Sequence, residues 1–188
     1  MSAALQKCLE ITLGEEGGYT DDPRDPGNWT GGKVNAGALA GTNYGISAPL
    51  LSRHIGHAAT AEEMKALTVD QACAIYEPEY WAPIHGDSLP LPVALGAFDA
   101  AVNSGPGHAV RWLQQACGLS PGTAWNVAAT LKAIQLRSLE QIITGQASVR
   151  LTFLRALPTW ATYGHGWQAR VERIEEAARE LIAAPAEA

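Results

Sequence analysis

Glu16, followed by Gly17-Gly18-Tyr19, is a carboxylate set at the predicted end of a helix beside two glycines that let other groups approach. A helix C-terminus carries partial negative charge, so an ionised Glu there is disfavoured and keeps its proton to higher pH. A retained proton is what a general acid requires; position alone is better met by an exposed charge next to a glycine cap. Glu15 points about 100° away around the helix, so one of the two at most faces a given cleft. Asp25 follows nine residues after Glu16, in a loop rich in Pro and Gly. Two carboxylates across a cleft are the working parts of most glycosidases, one protonating the leaving oxygen and the other acting as base or nucleophile. Asp25 beside Pro26 also suits a turn whose carboxylate bonds its own backbone, and Asp21 and Asp22 suit that role better.

The run Thr42-Asn43-Tyr44-Gly45-Ile46-Ser47 offers a hydroxyl, an amide and an aromatic ring, groups that hold a water, hydrogen-bond sugar hydroxyls and stack on a pyranose face. Asp99 and Asn103 stand four apart on one predicted helix face and so share a wall; Asp99 serves equally well as a buried, partnered carboxylate. Of six Trp, Trp29, Trp81 and Trp125 fall near predicted loops, where such rings bind carbohydrate, although packing is the ordinary role of any one of them. His54 and His57 lack the additional ligands that zinc needs. Cys8, Cys73 and Cys117 are widely spaced among apolar residues and are expected as buried free thiols, with neither a disulfide framework nor a metal site.

These residues must be positioned by helices. Leu5, Cys8, Leu9, Thr12 and Leu13 have helical spacing, predicting a first helix closed by Glu15-Glu16 and stopped at Gly17-Gly18. Tyr19 to Gly41 is dense in Gly, Pro, Asp and Asn and reads as loop with at most a short hairpin. Thr60 with Glu63 and Thr68 with Gln71 are capping signals opening two helices, the second running towards Tyr76-Glu77. Pro90 and Pro92 break the chain. Ala94 to Val102 then forms a helix ending near Asn103-Ser104-Gly105, and Pro106 opens another that ends at Gly118. After a Ser120-Pro121-Gly122 turn, Val127 to Ile142 reads as one long helix, Val149 to Leu157 as a shorter one, and Trp167 to Leu181 as the last. The expected fold class is mostly α, in two closely packed lobes, with a boundary near Leu89-Pro92.

The 188 residues, 47% hydrophobic, are enough for one core or two small lobes. A net charge of -6 argues against a general nucleic-acid binder, which needs a Lys/Arg-rich face. No apolar run approaches the roughly 20 residues of a membrane span, and the N-terminus shows no secretory signal.

Taken together, Glu16-Gly-Gly-Tyr19, Asp22-Pro-Arg-Asp-Pro-Gly27, Thr42-Asn-Tyr-Gly-Ile-Ser47, the Tyr76 to Trp81 segment and Phe98-Asp-Ala-Ala-Val-Asn-Ser-Gly-Pro106 resemble the glycoside hydrolase family 108 N-acetylmuramidases, peptidoglycan-cleaving proteins of phages, prophages and gene-transfer particles. Leu113-Gln114-Gln115 and Gly166-Trp167-Gln168-Ala169-Arg170 are similar to the small helical peptidoglycan-binding module that follows that catalytic region. The resemblance implies a lysozyme-like α+β fold with at most a small hairpin. Residues 1–91 would be the catalytic region, and 92–188 a helical, peptidoglycan-binding-like region completing the cleft. It implies cleavage of the β-1,4 bond between N-acetylmuramic acid and N-acetylglucosamine, with Glu16 as acid. The broader phage-lysozyme pattern maps Asp25 and Thr42 as its partners, and Tyr19, Asn43, Tyr44, Asp99 and Asn103 become candidates for binding sugar. Asn28 to Gly41 departs from the shorter pattern as an insertion, expected to form a flap or hairpin at the cleft rim. No cofactor or metal is called for. The expected partner is the peptidoglycan glycan strand, met by a monomer made in the cytoplasm without a signal peptide and without stable membrane insertion. The wall in the periplasm is then reached by holin-dependent release, by lysis or in a phage-like particle. A lytic transglycosylase and a non-catalytic wall-binding or particle-assembly module remain open as alternatives.

Overall fold

The computed structural model describes residues 2–14, 18–120 and 125–183. Among them are nine α-helices: α1 (Ala3–Leu13), α2 (Ala48–Ile55), α3 (Ala61–Lys65), α4 (Val69–Tyr76), α5 (Leu91–Ser104), α6 (Pro106–Ala116), α7 (Val127–Gln135), α8 (Leu139–Arg155) and α9 (Trp160–Ala183). Among the described residues extended structure is confined to isolated bridges at Thr20–Thr42, Trp29–Leu39 and Asn43–Ile46, so the fold is mostly α. The chain forms two compact units, Leu13–Pro78 and Ser2–Thr12 together with Glu79 onwards.

In the smaller unit both expected capping boxes are closed. Thr60 and Thr68 accept from the backbone N–H of Glu63 and Gln71, whose side chains reach back to the cap N–H groups. Met64, Ala72, Cys73, Ile75 and Tyr76 form its core with Ile46, Ala48 and Leu51. The larger unit is built on α5, which buries Val93, Ala94, Leu95, Ala97, Phe98, Ala100 and Ala101. A helix apolar on nearly every side needs neighbours on every side, and α6, α8 and α9 all pack against it.

Glu15-Glu16, expected to close the first helix, lie outside the described residues; within those residues α1 ends at Leu13 and Gly14 takes φ 59°. Three expectations are corrected. Pro92 does not break α5 but sits in its first turn, where its missing N–H costs nothing. The apolar residues from Val127 to Ile142 belong to two helices, because Ser138 accepts from the Gln141 N–H and completes a capping box that starts α8. The shorter helix expected from Val149 to Leu157 is the second half of α8. All three cysteines are buried free thiols, and burial pushes Cys8 up to about 12 and raises Cys117.

Candidate active site

Glu16 lies outside the described residues, as do Glu15 and Gly17, so the geometry of the site begins at Gly18. Tyr19 is half-buried, with its hydroxyl 3.4 Å from Asp21 Oδ2 and the Lys65 ammonium 4.7 Å above its ring. Partial burial, and then the Asp21 carboxylate, hold the phenol above its usual pKa, so it remains a hydrogen-bond donor.

The loop beyond Tyr19 is stitched by its own polar groups. Asp22 accepts from the Arg24 guanidinium at 2.7 Å, and this exposed pair lowers the Asp22 carboxyl to about 2. Asn28, fully buried, donates from Nδ2 to the Asp22 carbonyl, and Trp29 Nε1 donates to the Pro23 carbonyl. Asp25 is exposed; its Oδ1 accepts from the Gly27 N–H at 2.8 Å and caps the 3-10 turn Pro26–Asn28.

The segment from Asn28 to Gly41 closes on itself. Trp29 pairs with Leu39, Thr30 N–H donates to Ala38 O, and Gly31 N–H donates to Ala36 O. At the base, the N–H groups of Ala40 and Gly41 both donate to the Asn28 carbonyl, so the chain leaves and returns at one point. Thr20 and Thr42 then exchange both backbone hydrogen bonds, at 2.9 and 2.8 Å. The segment therefore loops out and returns, and Thr42 stands beside the Gly18-Tyr19-Thr20 segment.

Gly41 makes this return possible. It takes φ 87°, and a Cβ there would lie 2.5 Å from the Tyr19 ring and 2.7 Å from the Thr20 carbonyl. The next turn, Asn43 to Ile46, carries positive φ at both central residues, Tyr44 at 49° and Gly45 at 68°, the requirement of a tight hairpin turn. A left-handed conformation is unusual for an aromatic residue. It is held by the Tyr76 hydroxyl, which donates to the Tyr44 carbonyl at 3.0 Å, and by Asn43. Asn43 is buried, donates from Nδ2 to Met64 O at 2.9 Å, and accepts from the Tyr44 N–H.

In the larger unit Asp99 is fully buried and bridges two arginines. Its Oδ2 lies 2.6 Å from Arg150 Nη1, and its Oδ1 lies 2.7 Å from Arg170 Nη2. Asn103 is exposed and accepts from Arg150 Nη2 at 3.2 Å, so the predicted sharing of a face by Asp99 and Asn103 is a shared guanidinium. Sequence reasoning missed Arg150. Its signal is a basic residue on the buried stripe of α8, after Ile143, Gln146 and Ala147, because a charge on a buried stripe requires a buried counter-charge. Trp81, offered as a ring platform, is instead core: it is 1% exposed and meets Phe98 edge-on at 5.6 Å. Trp29 and Trp125 are half-buried.

The candidates Glu16, Tyr19, Asp25, Thr42, Asn43, Tyr44, Asp99 and Asn103 all fall within residues 9–105, which match the sequence profile described as Glycosyl hydrolase 108. The chain belongs to glycosyl hydrolase family 108. A solved structure, that of Brucella abortus SagA, is 35% identical and superposes with a TM-score of 0.72 over 94% of each chain. No curated protein matches the chain. As a family 108 enzyme of lysozyme-like, mostly α fold, it is a glycoside hydrolase of the N-acetylmuramidase type whose substrate is peptidoglycan. No helix among the described residues is long and apolar enough to cross a membrane.

Proposed function

We propose that this family 108 enzyme hydrolyses the muramic acid–glucosamine linkage with Glu16 as general acid. Glu16 delivers its proton to the departing glycosidic oxygen while positive charge develops at the muramic acid anomeric carbon. A water held by Thr42 then adds at that carbon and gives its proton to Asp25 acting as base, or to the Glu16 carboxylate where Asp25 instead stabilises the charge. Tyr19 and Tyr44 contact sugar. Asn43, Asp99 and Asn103 serve the site by positioning, through Met64, Arg150 and Arg170. The observation that supports this most is the Thr20–Thr42 pairing, which sets Thr42 against the segment following Glu16 although Asn28 to Gly41 intervenes.

In the same reading residues 1–91 carry catalysis and 92–188 complete the cleft and bind wall polymer. The protein acts as an endolysin-type monomer that reaches the wall after release or particle delivery. Glu16→Gln keeps the side-chain shape and removes the proton. We expect clearing of purified sacculi, followed by turbidity, to fall by roughly 100-fold or more with an unchanged circular dichroism spectrum. Clearing at the parent rate by a folded Glu16→Gln protein overturns the assignment.

A further inference from the structure

A cavity of about 20 Å³ lies inside the larger unit, bounded by α5, α6, α8 and α9. Most of its wall is apolar, with Ala97, Trp112, Ile143 and Ala147 among the lining residues, but two polar residues of α8 also line it, Gln146 and Arg150. Both are more than nine-tenths buried, at 8% and 4% exposure. Each carries one buried atom, Gln146 Oε1 and Arg150 Nε, that has no hydrogen-bond partner among the described residues. The orientation of the amide is fixed: Gln146 Nε2 donates to the Val93 carbonyl at 3.3 Å, which leaves Oε1 as the free acceptor. Gly96 makes room for that oxygen, because a Cβ there would lie 2.9 Å from it. The guanidinium is similarly constrained. Its Nη1 donates to Asp99 and its Nη2 to Asn103, leaving Nε as the nitrogen without a partner.

A buried polar group without a partner gives up its bonds to solvent on folding and regains none. Here one donor and one acceptor stand four residues apart on the same helix, and so on the same face, lining the same cavity. Their opposite senses select the ligand. An anion would meet the Gln146 oxygen and the Glu175 carboxylate, which also lines the cavity and is paired with Arg179; a cation would meet the guanidinium. A neutral molecule that both donates and accepts suits the pair. A water needs roughly 10–15 Å³ open to its centre and two to four polar partners, and the cavity supplies both. We propose that it binds a single ordered water, which accepts from Arg150 Nε–H and donates to Gln146 Oε1. A polar line then runs through the apolar interior from the Val93 carbonyl of α5, through Gln146, the water and Arg150, to Asp99 and Asn103 of the same helix. The water thereby anchors the guanidinium that holds the Asn103 side chain, a positioning role distant from any reacting atom. The water site does not depend on the catalytic role of Glu16.

The test is water-selected NOE spectroscopy of the full chain. The methyl protons of Ala97 and Ala147, which do not exchange with solvent, should show cross-peaks to a water of long residence. Gln146→Met keeps a similar side-chain length and removes the acceptor, so those cross-peaks should disappear while the circular dichroism spectrum is unchanged, and oxygen-17 relaxation dispersion should register the loss of one long-lived water. The Arg150 Nε–H and Asn103 side-chain amide resonances should shift in the same variant, since both report on the guanidinium. Silent methyls in the parent chain overturn the site, a result that requires no variant to fold. Cross-peaks that persist in a folded Gln146→Met protein overturn it as well, because the water is then held by other groups. Shifts of the same methyls under xenon pressure in the parent would assign the cavity to apolar contents and overturn it too.

Discussion

Asp99 is fully buried against Arg150, which is 5% exposed, and Arg170, which is 31% exposed. A buried carboxylate between two guanidinium groups is held by a charge-assisted hydrogen bond from each; removing it strands a buried cation. Asp99→Asn should therefore cost about 3 kcal/mol, a fall of roughly 6–12 °C in Tm for a chain of this size, read by differential scanning calorimetry. An Asp99→Asn protein with the parent Tm and no activity would return Asp99 to direct chemistry. The sequence offered both roles for this residue, and the partners that decide between them come from helices about 50 and 70 residues away, beyond what local spacing can show. Asp25 was more legible. Its turn role, readable from the following proline, is present as the Gly27 cap, while its approach to substrate depends on Glu16, outside the described residues.

At the scale of elements, the capping boxes at Thr60 and Thr68 were readable because a hydroxyl residue and a carboxylate or amide three places on is a local device. The same device at Ser138 with Gln141 was hidden by apolar residues that continue in helical register across the break from Val127 to Ile142. Ser138→Ala should cost about 1 kcal/mol, measurable as a lowered urea midpoint with unchanged m-value; an unchanged midpoint would mean the α7–α8 break is fixed by packing alone. The hairpin within Asn28 to Gly41 was expected, but its self-closure on the Asn28 carbonyl was not, since backbone acceptors carry no sequence signature. Gly41→Ala tests that return. It forces a Cβ into the Tyr19 ring at a positive φ, so it should destabilise by about 1–3 kcal/mol and expose the amide protons of Thr20 and Thr42 to faster hydrogen exchange. Parent exchange rates at those two amides would show that the pairing does not depend on Gly41.

At the scale of the whole molecule, the mostly α class followed from apolar spacing, and the enzyme class followed from ordered short motifs that span residues 9–105 as a family segment. Neither composition nor net charge pointed to the substrate. A chain with charge -6 receives no electrostatic help towards anionic wall polymers, so we expect binding to rest on sugar and peptide contacts. The central claim is hydrolysis through Glu16, and the product carries its signature. Purified sacculi digested in heavy-oxygen water should yield, by mass spectrometry, fragments with a reducing-end muramic acid carrying one solvent oxygen, made by the parent enzyme and not by Glu16→Gln. Anhydromuramic ends, or labelled ends made equally by both proteins, would contradict it.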